Sequence, residues 1–240
     1  MDRRAFFSLV ATVAVRPQAA WAQPGSTRVA LYAALIVLGL APAWPAGITA
    51  QPRGPRALDA SGPIGTFVAA GDQRERYRPA DRQLAQWALD AWQHAAGSGL
   101  RLTPAPEASA RVRLYWAGPQ SGRYGEMRAL QVDGRAGAAV YIRPDTTSLG
   151  PDIHALATSD PLFRDTVVYL TCVHELGHAF GLEHTADFRD IMYSFEYGGD
   201  IVEYFSRYRR QLKSRDDIAQ VAGMSAADIA KVRTLYASAR

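Results

Sequence analysis

The chain has 240 residues, 48% of them apolar, a composition that excludes a largely disordered protein and fits a single catalytic domain. The net charge is +4, but four arginines and one aspartate fall within the first fifty residues, so the remainder is nearly neutral and we expect no nucleic-acid partner. The only cysteine, Cys172, excludes an intrachain disulfide.

The chain opens with the features of an export signal. Arg3 and Arg4 precede an apolar run that leads to the small residues 20–22, a spacing typical of signal-peptidase cleavage. The paired arginines also resemble a twin-arginine signal. A second apolar run, residues 29–44, ends before another candidate cleavage site. We therefore predict that residues 1–50 direct export, giving a secreted or periplasmic protein of bacterial type.

Two export signals in tandem are unusual and leave an alternative open. Either translation begins downstream of the first signal, or residues 29–44 stay uncleaved as a membrane anchor. Their sixteen residues are fewer than the roughly 20 that cross a bilayer comfortably, which favours cleavage. Residues 51–65 are rich in proline and glycine and predict a linker, so the folded domain is expected over residues 66–240.

The first half of the domain predicts one helix and several strands. Residues 79–96 carry an apolar stripe at spacings of three and four, which predicts an amphipathic helix that ends at Gly97. The sequence also predicts three strands: one that begins near Leu100, one over residues 111–116 and one over residues 138–142. A glycine-rich connection separates the last two strands.

The second half predicts two helices. The first runs from about Asp165 to Phe180, and a short turn follows at residues 190–193. The last helix covers residues 225–237, where Ser225 and the residue three positions later form a capping box.

The chemistry is concentrated in the stretch HELGHAFGLEH, residues 174–184, which holds three of the five histidines. Positions four apart on a helix lie about 40° apart around the axis and about 6 Å along it, so His174 and His178 can share one ion. Glu175 follows on the same helix and can reach a water at that ion.

His184 requires a turn to join the other two histidines. On a continuous helix it would lie about 9 Å beyond His178 and be rotated by about 240°, out of reach of the same ion. Gly181 tolerates positive φ and commonly ends helices, so we predict that the chain turns there and returns His184 to the ion.

Three imidazoles with one open position predict a catalytic zinc ion, because a structural site is closed by a fourth protein ligand. Cys172 lies two residues before His174 and therefore faces the opposite side of the helix. The ion would acidify a water molecule and polarise a peptide carbonyl, while Glu175 takes the water's proton and passes it to the leaving amine. The pattern thus predicts peptide hydrolysis without a covalent intermediate.

With these residues in view, the sequence resembles the metzincin zinc peptidases, and among them the matrixins. Met192, eight residues after His184, resembles the methionine that underlies the metal site in these enzymes. Thr185 directly follows the third histidine, where matrixins usually have serine or threonine. Residues 224–238 resemble the C-terminal helix of the matrixins. Gly181 and Met192 are therefore expected to support the site.

The resemblance implies an α+β fold, with a twisted mixed five-stranded sheet over the active-site helix and a C-terminal helix. One antiparallel edge strand would line the cleft, where a substrate adds as an extra strand. Residues 138–142 are our candidate for that edge, although an interior strand fits them equally well.

The sequence also departs from the matrixin pattern. No cysteine precedes the catalytic domain to keep it latent. His94 and His154 do not match the family's second zinc site, so we predict one catalytic zinc and leave calcium open. About thirty residues separate Met192 from the last helix and include the basic segment 206–215, which could steer acidic substrates or touch anionic lipid but fits a solvated helix face better.

The leading interpretation is an exported, monomeric endopeptidase that acts on proteins or peptides. A non-proteolytic binding or adhesion module that keeps the metal site as a relic is the first alternative, although Glu175 would then have no purpose. The second alternative is a zinc hydrolase acting on another bond, such as an amidase.

Overall fold

The computed structural model describes residues 56–121 and 123–237. The predicted export signals, the candidate anchor at residues 29–44 and the first part of the predicted linker lie outside the described residues. Within those two ranges, none of the helices combines the length and apolarity needed to cross a membrane.

The described residues form one five-stranded sheet, which confirms the predicted mixed α+β fold. The strands are β1 (Ile64–Val68), β2 (Leu102–Pro104), β3 (Val112–Trp116), β4 (Gly125–Val132) and β5 (Arg135–Ile142). Their order is β2-β1-β3-β5-β4, with parallel pairing throughout except between β4 and β5, which are antiparallel.

The edge strand that lines the cleft is β4, so the prediction that residues 138–142 form the edge is wrong. Those residues belong to β5, which lies between β3 and β4 and has buried Ala138, Val140 and Ile142. The hairpin turn at Asp133 and Gly134, both with positive φ, reverses the chain from β4 into β5. The glycine-rich segment predicted as a connection therefore contains the edge strand itself.

In the part of the chain that the structure describes, five α-helices pack around the sheet, and the three predicted ones are confirmed. They are α1 (Asp81–Ala96), α2 (Pro151–Ser159), α3 (Pro161–Ala179), α4 (Ile201–Arg209) and α5 (Ala226–Tyr236). The helices α1 and α3 contact each other closely, and Trp92 Nε1 on α1 donates to the carbonyl of Val173 at 2.8 Å. The short helices α2 and α4 were not predicted.

The chain before β1 packs on the domain. Leu58 is buried, and its N–H donates to the hydroxyl of Tyr236 at 3.1 Å, which in turn donates to the carbonyl of Phe180 at 3.1 Å. The strand β1 begins at Ile64, so folded structure starts before the boundary expected at Thr66.

The C-terminal helix α5 begins with the predicted capping box. The Ser225 hydroxyl accepts from the N–H of Asp228 at 3.1 Å, and Oδ2 of Asp228 accepts the N–H of Ser225 at 2.9 Å. The same Oδ2 also accepts the N–H of Ile191 at 2.8 Å. This hydrogen bond holds the loop that follows the histidine motif against α5.

Candidate active site

The helix α3 presents two histidines and one glutamate to the cleft. His174, Glu175 and His178 all lie in its last two turns. The helix ends at Ala179, and Gly181 follows with φ of +94°, as predicted for the residue that turns the chain. Positive φ suits glycine because it has no Cβ to collide with the preceding carbonyl.

The turn returns His184 to the other two histidines. Its Nε2 lies 3.2 Å from Nε2 of His174 and 3.1 Å from Nε2 of His178. Nitrogens that bind one tetrahedral zinc at about 2.0–2.1 Å lie about 3.3 Å apart. The spacing of the three rings therefore fits a zinc ion.

Hydrogen bonds at the Nδ1 atoms of His174 and His178 also favour metal binding by these rings. His174 Nδ1 lies 2.7 Å from the carbonyl of Ile191, and His178 Nδ1 lies 2.8 Å from the carbonyl of Leu182. A carbonyl only accepts, so each Nδ1 must carry the proton and each Nε2 must present a lone pair. Both lone pairs face Nε2 of His184, so the three nitrogens would surround a bound cation.

Burial keeps the first of these rings neutral. Desolvation, followed by the charge of His178, lowers the pKa of His174 to about 3, and desolvation also lowers the pKa of His178. A neutral imidazole is the form that binds a metal.

Glu175 lies on the same helix and is 8% exposed. Desolvation, followed by the charge of Glu126 on the edge strand, raises the pKa of Glu175 to about 7. A carboxylate with a pKa near neutrality can both take and return a proton. Gly125 at the start of β4 faces it closely: a Cβ at residue 125 would lie 2.5 Å from Oε1 of Glu175.

Met192 lies beneath the helix that carries the histidines. It is fully buried, and a Cβ at residue 177 would collide with its sulfur, so Gly177 leaves the space that the methionine fills. The carbonyl of Met192 accepts the N–H of Thr185 at 2.8 Å, directly after the third histidine. The position suits the predicted supporting role.

A pocket of about 200 Å³ opens beside the histidines and Glu175. Tyr124 and Thr171 give it a polar part, and the hydroxyl of Tyr124 is buried without a hydrogen-bond partner. Most of the remaining wall is apolar or aromatic. Leu149 comes from the turn before α2, and the others come from α3, α4 and the loop between them: Leu170, Phe195, Ile201, Tyr204 and Phe205.

Sequence reasoning missed the contribution of α4 to this pocket. Ile201, Tyr204, Phe205 and Tyr208 recur at three, four and seven positions, the spacing of an apolar helix face, and this signal could have revealed the helix. The arginines between them directed the interpretation to charge instead.

The basic segment 206–215 binds its own domain. Arg207 donates to the carbonyl of Phe188 and lies over the ring of Tyr204. Three ion pairs hold the segment as well. Arg209 pairs with Asp160 at the cap of α3 and Arg215 with Asp165 on α3, while Arg210 pairs with Glu203 on α4.

The other two histidines stay apart from the site. His94 lies on α1, where Nδ1 is 2.7 Å from the carbonyl of Asp90, and His154 lies on α2. Across residues 56–121 and 123–237, the group formed by His174, His178 and His184 is the one set of three or more metal-binding side chains close enough to share an ion. Calcium binding stays an open expectation.

A family model described as matrixin, in the M10 class of peptidases, matches residues 66–236. No curated protein sequence matches the chain. Among solved structures, archaemetzincin from Methanopyrus kandleri is similar at 14% identity and a TM-score of 0.37, over 77% of this chain and 98% of that one.

Proposed function

The chain belongs to the matrixin family of zinc metallopeptidases, and from this premise we propose that it is an endopeptidase with zinc on His174, His178 and His184 and with Glu175 as general base. Gly181 and Met192 support the metal site in this proposal.

One observation carries the proposal. The three Nε2 atoms lie 3.1–3.2 Å from their nearest neighbour in the group, while two of the rings are tied through Nδ1 to backbone carbonyls. In the two tied rings Nε2 carries a lone pair, and both of these lone pairs face Nε2 of His184. Because the protein groups supply three ligands, the fourth position remains for water or substrate, which is the arrangement of a catalytic zinc site.

The chain's own residues would move the protons of the reaction. Zinc, when bound, acts as a Lewis acid that acidifies water and polarises a peptide carbonyl. A carboxylate oxygen of Glu175 takes one proton from the attacking water as the C–O bond forms. Glu175 then returns that proton to the leaving amine nitrogen as the C–N bond breaks. No covalent enzyme intermediate is needed.

We infer that the peptide substrate lies along the free edge of β4. Among the described residues this strand pairs with β5 on one side only, and its first residue, Gly125, lies against Glu175. A substrate added as an antiparallel or parallel strand would gain backbone hydrogen bonds there. The neighbouring pocket would take one largely apolar side chain next to the scissile bond.

Export of the protein is part of the proposal. Residues 1–50 would act as the signal, and residues 29–44 would anchor the protein to the membrane if they stay uncleaved. Fractionation of cells that produce the full chain, with N-terminal sequencing of the product, tests both. Retention of the intact chain in the cytoplasm would contradict export.

The experiment that tests the function uses the full chain, zinc and a mixed peptide library, with cleavage sites mapped by mass spectrometry. We expect cuts inside peptides, with an apolar residue favoured on one side of each cut. Glu175→Ala is the matched control, because it should retain zinc but abolish hydrolysis.

Other outcomes would select the alternatives. Cleavage by Glu175→Ala at the wild-type rate would refute the general-base role. A wild-type chain that binds zinc but cuts no peptide would favour a binding module. Hydrolysis of small amides with no cleavage of extended peptides would favour an amidase.

A further inference from the structure

The helix α4, which lies in the long segment between Met192 and the last helix, reaches the back of the metal site. Its Tyr204 is 4% exposed, and the hydroxyl lies 3.1 Å from the carbonyl oxygen of Ile191 and 3.2 Å from that of Asp190. The Ile191 carbonyl is also the acceptor for Nδ1 of His174, at 2.7 Å. One backbone oxygen therefore joins a phenol of α4 to an imidazole of α3.

We propose that Tyr204 is a positioning residue for the metal site, which fixes the Ile191 carbonyl and through it the orientation of His174. The inference rests on the proposed role of His174 as a zinc ligand. A histidine that binds metal is oriented by the acceptor of its other ring nitrogen, and loss of such an outer partner typically weakens metal binding.

Residue 191 is held from two directions. Its N–H donates to Oδ2 of the buried Asp228 on α5 at 2.8 Å, and its carbonyl shares the hydroxyl proton of Tyr204 with the neighbouring carbonyl of Asp190. These two bonds restrain the carbonyl that accepts Nδ1 of His174, and through it they restrain the direction of the His174 ring.

The ring of Tyr204 is itself locked in place. Its centroid lies 5.6 Å from that of Phe188, 5.1 Å from that of Phe195 and 6.3 Å from that of Tyr193. The guanidinium carbon of Arg207 lies 4.5 Å from the ring centroid on the same helix. Such packing makes the hydroxyl a rigid donor.

A matched control exists one helical turn away. Tyr208 is also buried on α4, and its hydroxyl also donates to a backbone carbonyl, that of Val221, which has no link to the histidines. Tyr204→Phe and Tyr208→Phe each remove one hydroxyl and keep the ring. They differ in whether the lost bond leads to His174.

The test measures the zinc dissociation constant of the full chain by competition with a chromophoric chelator, together with thermal unfolding of the metal-free form. We expect Tyr204→Phe to raise the dissociation constant about tenfold, the lower end for loss of an outer partner. Tyr208→Phe should stay within about twofold of wild type, with a similar shift in unfolding temperature for both variants.

An unchanged zinc affinity in Tyr204→Phe, or an equal loss in Tyr208→Phe, would overturn the inference while the proposed function stands. A wild-type chain that binds no zinc would refute the proposed function itself. If Tyr204→Phe does not fold, wild-type chain labelled with ¹³C at tyrosine Cζ replaces it. Zinc should then shift the Tyr204 resonance more than that of Tyr208, and equal shifts would contradict the proposal.

Discussion

The glycine at the start of the edge strand sets the position of the proposed general base. A methyl group at residue 125 would lie 2.5 Å from Oε1, 2.7 Å from Cγ and 2.9 Å from Cδ of Glu175, all well inside van der Waals contact. Gly125 has ordinary backbone geometry, so the substitution Gly125→Ala adds little backbone strain. The carboxylate must therefore move.

The expected effect is on catalysis more than on stability. Relief of these contacts requires Glu175 to shift by about 1 Å, and a misplacement of that size costs about a hundredfold in rate. A hundredfold loss corresponds to about 2.7 kcal/mol of transition-state stabilisation. We expect kcat/KM for peptide cleavage to fall by this amount in Gly125→Ala, with zinc content unchanged.

Two controls separate the collision from general damage. Gly62→Ala adds a methyl group where no atom lies within 4 Å and should leave activity unchanged. In a Glu175→Ala background the collision is absent, so whatever free energy of unfolding Gly125→Ala costs in the wild-type background should be recovered there, which appears as a coupling energy between the two substitutions. Wild-type activity in Gly125→Ala would refute the reasoning.

Three further predictions concern stability, each measured by urea unfolding of the metal-free chain. Tyr236→Phe leaves the buried N–H of Leu58 without its acceptor and should lower the free energy of unfolding by about 1–3 kcal/mol; no change would show that this N–H finds another acceptor. Arg164→Ala leaves the carboxylate of fully buried Asp81 without its arginine partner and should lower the free energy of unfolding by about 3–5 kcal/mol. A loss below about 1 kcal/mol, the size typical of a surface ion pair, would contradict this. Gly181→Ala places a Cβ at a φ of +94° and against the backbone of residues 56–57. It should lower the free energy of unfolding by at least about 1–3 kcal/mol and weaken zinc binding, and a variant as stable as wild type would contradict this.

The sequence was most informative where a periodic pattern coincides with a chemical requirement. The stripe on α1 and the capping box at Ser225 predicted their helices because each depends on residues close in the chain. The histidine spacing predicted the convergence of three rings, since helix geometry and one glycine determine it. These features need no knowledge of distant contacts.

The missed features depend on contacts between distant parts of the chain. The edge strand β4 has few buried side chains, so its residues carry little of the alternation that marks a strand. The residues before β1 are rich in proline and glycine, yet Leu58 is held by a tyrosine on α5. The link from Tyr204 to His174 passes through a backbone carbonyl, which leaves no signature in side-chain identity.

The zinc requirement is the central claim and can be tested by one titration. The full chain is freed of metal with a chelator, and cleavage of a library-derived peptide is followed as zinc is added. We expect no cleavage at the start, a linear rise, and a plateau at about one zinc per chain, the number that one three-histidine site can hold. Full activity in the metal-free chain, or zinc bound at this ratio without any gain in cleavage, would contradict the account.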